Sequence, residues 1–164
     1  LCRTMWESNQ DNFGRIIIFR LSNIYGKSTN NPIGRNRGFL NFLVKELIEG
    51  GVIDLYKEGQ IFRDFIHCKD VARSIVKSTA IRQKSFEIYN CGSGHLISFY
   101  EIAKIVCEML NLSFDKHVNL VQIPMRGSDL REYSVNSEKL AQHLSFHPQI
   151  SIEKGVAELI RSSN

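Results

Sequence analysis

The residues best suited to chemistry in this chain are arginines in loop-like surroundings: Arg63 in GQIFRDF, Arg126 in PMRGSDLREY, and Arg35 with Arg37 in the stretch SNIYGKSTNNPIGRNRG. A guanidinium presents a planar fork of donors, so two arginines from loops distant in sequence can clamp a diphosphate through parallel charge-assisted hydrogen bonds. The same side chains can instead pair with carboxylates nearby, Arg63 with Asp64 or Asp70 and Arg126 with Asp129. Asp70 has a further structural use as the N-cap of the helix that begins VARSIV. Residue types alone leave the two arrangements open.

Other chemistries find less support. His67, His95, His117, His143 and His147 fall in different predicted elements, with no cysteine or carboxylate beside them at a ligand spacing, which argues against a metal site. A nucleophile-elbow glycine pattern is missing, and Cys68 and Cys91 read as strand residues, so serine- or cysteine-based catalysis has no basis. No G-x-G-x-x-G follows a strand, and the GSG at 92–94 reads as a turn.

The elements that must position these residues form an α/β pattern. RIIIFRL is apolar on successive residues, as a strand buried on both faces of a parallel sheet would be. The Gly- and Asn-rich loop after it lies at the carboxyl end of that strand, where open α/β sheets bind ligands. FLNFLVKELIEGG carries apolar residues at 39, 40, 43, 44, 47 and 48, one helical face, and stops at Gly50-Gly51. VIDLYKEG alternates as a short strand, IFRDFIHCKDVARSIVKSTAI is a strand running into a helix, and FEIYNCGSG is a strand ending in a glycine loop. Ser98, three residues before Glu101, forms a capping-box signal for the helix in SFYEIAKIVCEML. VNLVQIPM predicts a strand, and SEKLAQHLSF and SIEKGVAELI predict two short helices separated by His147-Pro148. Ahead of all of them, Thr4 to Asn12 is polar and predicts the exposed end of a helix, closed at Gly14 by a left-handed C-cap.

Composition sets the outer bounds. At 164 residues, with 43% hydrophobic and 23% charged, the chain suits one well-cored domain or the last part of a larger one, and disorder is excluded. The net charge of +4 and pI of about 8.9 suit an anionic ligand, but the charge is spread along the chain, which argues against a nucleic-acid surface. No apolar run reaches the roughly 18 residues that span a bilayer, and no signal-peptide pattern opens the chain, so no membrane association is expected. The four cysteines are widely spaced without a CxxC pair; reduced, mostly buried thiols in a cytoplasmic protein are expected.

Four segments in order, RIIIFRLSNIYG, GQIFRDFIHCKDVA, YNCGSGHLISFYEIAKIV and MRGSDLREYSVNSEKLAQHLSFHPQISIEKGVAELI, resemble the carboxyl-terminal half of the NAD-dependent epimerase/dehydratase family. These are extended short-chain dehydrogenases acting on nucleotide sugars, and the resemblance runs over about residues 1–160. It implies the last strands of a Rossmann-type doubly wound sheet plus the small α/β substrate-binding lobe, with the NAD-binding glycine motif outside the chain. It further implies that Leu21 and Ser22 border the cofactor, NAD or NADP, and that Asn23 lies near the substrate's diphosphate. By the same resemblance Arg63 and Arg126 grip the diphosphate from two sides, Asp129 takes a ribose hydroxyl, and Asp64 and Asp70 are structural. Phe39 and the stretch Asp54 to Tyr56 would line the sugar and base pocket. Ser128 stands where the family's RxGD pattern usually has glycine, which touches loop geometry rather than the arginine.

The family's reaction also needs a tyrosine base and a lysine one helical turn later, which lowers the tyrosine pKa. Measured back from FRLSNIYG, those slots fall on Leu1 and Met5, and TMWESNQ resembles the family's TKxxxEQ. Leucine has no proton to exchange and methionine no charge, so no catalytic residue is assigned and the chain by itself is expected not to turn over substrate. The resemblance thus implies the substrate-binding half of a nucleotide-sugar epimerase or dehydratase, often homodimeric. A non-catalytic nucleotide-sugar binding module and a truncated remnant are the alternatives.

Overall fold

A computed structural model describes residues 2–9, 12, 14–27, 38–56, 61–83, 85–121 and 134–163. Helix α1 (Cys2–Ser8) buries none of its residues. Strand β1 (Arg15–Leu21) is the β-branched run, and β2 (Asn23–Tyr25) follows after a break at Ser22. Helix α2 (Phe39–Ile48) buries Leu40, Leu43, Val44 and Leu47, the stripe expected of one helical face, and the chain turns at Gly50 with φ 78°. Strand β3 (Ile53–Tyr56) alternates buried and exposed residues. Strand β4 (Phe62–His67) runs without a loop into α3 (Cys68–Ser78).

Strand β5 (Ser85–Cys91) and the short β6 (Leu96–Ser98) precede α4 (Phe99–Met109). The capping box is complete: Ser98 Oγ accepts from Glu101 N at 3.1 Å, and the Glu101 carboxylate accepts from Ser98 N at 2.9 Å. A one-turn helix α5 (Phe114–His117) leads into β7 (Val118–Val121), and α6 (Glu138–Leu144) and α7 (Ile152–Ser163) complete the order.

The strands pair in three groups: β1 with β5, β2 with β4 and β4 with β6, and β3 with β7. All pairs are parallel except β4–β6, as expected for an α/β chain with helical crossovers. Two cores result. The larger joins Leu40, Leu43 and Leu47 of α2 to Ile102 and Val106 of α4 and Val156 of α7, over Ile53 and Val118. The smaller gathers Ile66, Val71, Tyr89, Cys91, Leu140 and Phe146, with Ile17 and Phe19 of β1 packed on it from outside. Tyr25 reaches across to α7, its hydroxyl donating to Ser151 O at 3.1 Å.

Several expectations are corrected. Strand β1 is not buried on both faces: its residues are half-buried or exposed, because among the described residues β5 is its one strand partner. Gly14 does not close α1: the helix ends at Ser8, and Asn9 follows it, its side-chain amide donating to Met5 O at 3.1 Å. Asp70 is not the N-cap of α3. That position belongs to His67, whose Nδ1 accepts from Lys69 N at 3.3 Å, and Cys68 is the first helical residue rather than a strand residue. Of the four cysteines, Cys91 and Cys107 are buried, Cys68 is half-buried and Cys2 is exposed.

Candidate functional site

Strand β4 carries Arg63 and Asp64, consecutive residues that a strand directs to opposite faces. Asp64 is fully buried, and four donors converge on it. Its Oδ1 accepts from Ser93 N at 2.8 Å and Ser93 Oγ at 2.7 Å; its Oδ2 accepts from Gly94 N at 2.9 Å and Val135 N at 3.1 Å. The GSG turn is therefore a cradle for a carboxylate. Gly92 is required by close approach, since a Cβ there would lie 2.7 Å from Asp64 Oδ2 and 2.6 Å from Val135 Cβ.

Asp70, also fully buried, accepts from Gln149 N at 3.2 Å and Ile150 N at 3.1 Å and pairs with Arg73. Both carboxylates are thus satisfied by backbone and side-chain donors. Arg63 is half-buried, with Nη1 donating to Phe62 O at 2.8 Å.

At the carboxyl end of β1, Leu21 is 40% exposed. Ser22 is buried; its N donates to Cys91 O at 3.0 Å, while its Oγ has no hydrogen-bond partner among the described residues. Asn23 turns its side-chain amide onto Asp64 O at 2.9 Å, so the residue expected near a diphosphate also ties β2 to β4 beside Arg63.

Phe39 and Tyr56, from α2 and β3, line one cavity of about 680 Å³ together with Leu55, Ile61, Phe99 and Tyr100. Phe39 stacks on Phe99 with centroids 3.7 Å apart and planes at 9°. Phe99 is fixed in turn by its N–H to Ile61 O at 3.1 Å. The carboxylates on this wall are Glu46 and Asp54, and Asp54 accepts from the Asn119 side chain at 3.0 Å. The surface suits a flat ring system, which aromatic walls hold by offset stacking. Phe99 and Tyr100 escaped the sequence reading: the capping box marked where α4 starts, and the two aromatics just inside that start were the available signal.

Leu1, Arg35, Arg37, Arg126 and Asp129 lie outside the described residues. The chain after the Arg126–Asp129 stretch is held at Val135 by Asp64 and at Ser137, whose Oγ accepts from Gly92 N at 2.9 Å. Met5 sits on α1, 51% exposed. Among the described residues no group of three His, Cys, Asp or Glu side chains could hold a metal ion, and no helix is long and apolar enough to cross a membrane.

The model of the NAD dependent epimerase/dehydratase family matches residues 1–92. Over 144 residues the chain is 30% identical to dTDP-L-rhamnose 4-epimerase of Burkholderia thailandensis, covering 87% of this chain and 38% of that protein. It superposes with a TM-score of 0.74, at 27% identity, on the crystal structure of DesIV, a dTDP-glucose 4,6-dehydratase from Streptomyces venezuelae with NAD bound, covering 96% of this chain and 45% of that one. A second structure, of an epimerase from Methanothermobacter thermautotrophicus, gives a TM-score of 0.76 at 20% identity and shares the fold. The chain spans less than half the length of these proteins.

Proposed function

The chain belongs to the NAD dependent epimerase/dehydratase family, and from that premise we propose that it is the carboxyl-terminal, substrate-binding half of a nucleotide-sugar epimerase or dehydratase. The observation that carries this reading is the aromatic cavity. Phe39 and Tyr56, assigned to the sugar and base pocket by resemblance, come from separate elements onto one wall, and that wall includes Ile61, two residues before Arg63. The base lies against the aromatic rings; Arg63 and Arg126 hold the diphosphate through charge-assisted hydrogen bonds, with Asn23 beside them and Asp129 on a ribose hydroxyl.

The residues at the end of β1 fit a nicotinamide cofactor. The Ser22 Oγ is a buried polar atom without a partner among the described residues, and a bound amide would satisfy it. Leu21 beside it offers apolar cover. NAD, when bound, supplies the oxidation of a sugar carbon and the later return of hydride. This chain's own part is to bind and orient the nucleotide sugar. With methionine in the lysine slot it has no charge there to favour a phenolate, so turnover by the chain alone is not expected.

Calorimetry of the chain with uridine and thymidine diphosphates tests the reading. Binding is expected, and Arg63→Ala should weaken it about tenfold or more, the value of a charge-assisted hydrogen bond. Tyr56→Ala should weaken the nucleoside diphosphates while leaving inorganic pyrophosphate unaffected. Heat signals absent for both nucleotides would remove the proposal.

A further inference from the structure

Among the described residues that line the aromatic cavity there is no Lys, Arg or His; the charged groups are the carboxylates of Glu46 and Asp54. The two are held differently. Glu46 comes from α2, and its carboxylate lies against Gly51, where a Cβ would come within 2.5 Å of Oε1. Asp54 belongs to β3, in which Ile53 and Leu55 are buried and Asp54 and Tyr56 are exposed.

Residues two apart on a strand share a face and stand about 7 Å apart along it. A flat ring held against Tyr56 can therefore bring its far edge to Asp54. The Asp54 carboxylate is also steadied there. Asn119, its register partner across the parallel β3–β7 pair, donates from its side-chain amide to Oδ1 at 3.0 Å. Oδ2 has no donor among the described residues, and Oδ1 keeps a second lone pair.

A fixed carboxylate at the edge of a ring attracts N–H groups and repels acceptor atoms, and the nucleobases differ in this respect. Uracil and thymine offer one ring N–H flanked by two carbonyl oxygens. Adenine and cytosine offer an amino group beside a ring-nitrogen acceptor. Guanine places N1–H and the N2 amino group side by side, two parallel donors that a carboxylate receives with both oxygens.

We propose, on the reading that this cavity holds the base of a nucleotide sugar, that Asp54 is the residue that selects the base and that the base it selects is guanine. The ring lies against Tyr56, Asp54 accepts from N1–H and from the N2 amino group, and Asn119 keeps the carboxylate in place. A cavity of about 680 Å³ has room for a purine. Uridine and thymidine diphosphates keep the aromatic and arginine contacts but set a carbonyl oxygen against the carboxylate, so they bind more weakly.

Calorimetry of the full chain with guanosine, inosine, adenosine, uridine and thymidine diphosphates tests the assignment. Guanosine diphosphate should bind about tenfold or more tighter than the adenosine, uridine and thymidine diphosphates, the worth of a bidentate base contact. Inosine diphosphate, which lacks the N2 amino group, should fall between. Asp54→Asn sets an amide donor against the donors of guanine and should level the series, and Asn119→Ala should narrow it. An affinity for guanosine diphosphate no higher than for adenosine diphosphate, or a preference that survives in Asp54→Asn, would overturn the guanine assignment and leave the nucleotide-sugar reading standing. Absence of binding by all five would remove both.

Discussion

The lobe built by α2, α4 and α7 over β3 and β7 and the segment of α1 and β1 end in different states of burial. In the lobe Leu40, Leu43, Ile102, Ala103, Val106 and Val156 are wholly buried. In β1 and α1 no residue is. Amphipathic helices can close a core on one another, since each needs cover on one face only. A parallel strand needs a neighbour on each edge and a layer on each face. The aromatic cavity lies in the closed region, and the residues that the family resemblance assigns to the cofactor lie at the end of the open one.

That contrast can be broken by mutation. Leu43→Ala should cost about 2–5 kcal/mol of unfolding free energy in urea titrations, as deletions in a closed core do. Ile18→Ala in half-buried β1 should cost well under half of that, and equal costs would erase the distinction between the regions.

Next in size is Asp64→Asn, which turns one of two acceptor oxygens into a donor facing N–H groups. A loss of about 2–3 kcal/mol is expected from the unsatisfied buried donors. Because Asp64 holds Val135 and sits beside Arg63, nucleoside diphosphate binding should weaken too, measured by calorimetry at a temperature where the variant is folded. Removing the cap with Ser98→Ala should cost about 1 kcal/mol, localised to the start of α4 and so to the cavity wall at Phe99.

The smallest effect is a pH dependence. Burial lowers the His67 pKa from its ordinary value of 6.5, against a raising contribution from Glu158, so the unfolded chain takes up a proton that the folded chain refuses. Stability should therefore be complete above 6.5 and fall as the pH drops through that value toward the folded one. Glu101, held low by its hydrogen bonds from Ser98, acts in the same direction at more acid pH: its stabilisation is present above the unfolded carboxylate value and lost as pH falls through the folded one. Urea midpoints should decline from about pH 7 to about pH 5, and His67→Gln should flatten that segment.

What the sequence made legible follows from range. The α2 stripe and the Ser98–Glu101 box depend on residues three or four apart, and both are present as read. The strand-to-helix passage at FRDFIHCKD was likewise plain, although the cap within it fell to His67 because the Asp70 carboxylate is drawn to the amides of Gln149 and Ile150. The Asp64 cradle rests on Ser93, 29 positions away, and Val135, 71 positions away, and no local spacing announces such a contact. Burial of β1 was misjudged for the same reason: the pattern records what a strand tolerates on its faces, and the neighbours decide what it receives. Phe39 and Tyr56 were readable only through family resemblance, since an aromatic residue serves packing and binding with the same chemistry.

Native-state hydrogen exchange of the chain, with and without uridine or thymidine diphosphate, tests the central claim most directly. The nucleotide should slow exchange in β3, at the start of α4 and along β4 around Arg63, and leave β1 and α1 unchanged. Protection gained along β1 and β5 instead, or no change in any segment at saturating nucleotide, would contradict it.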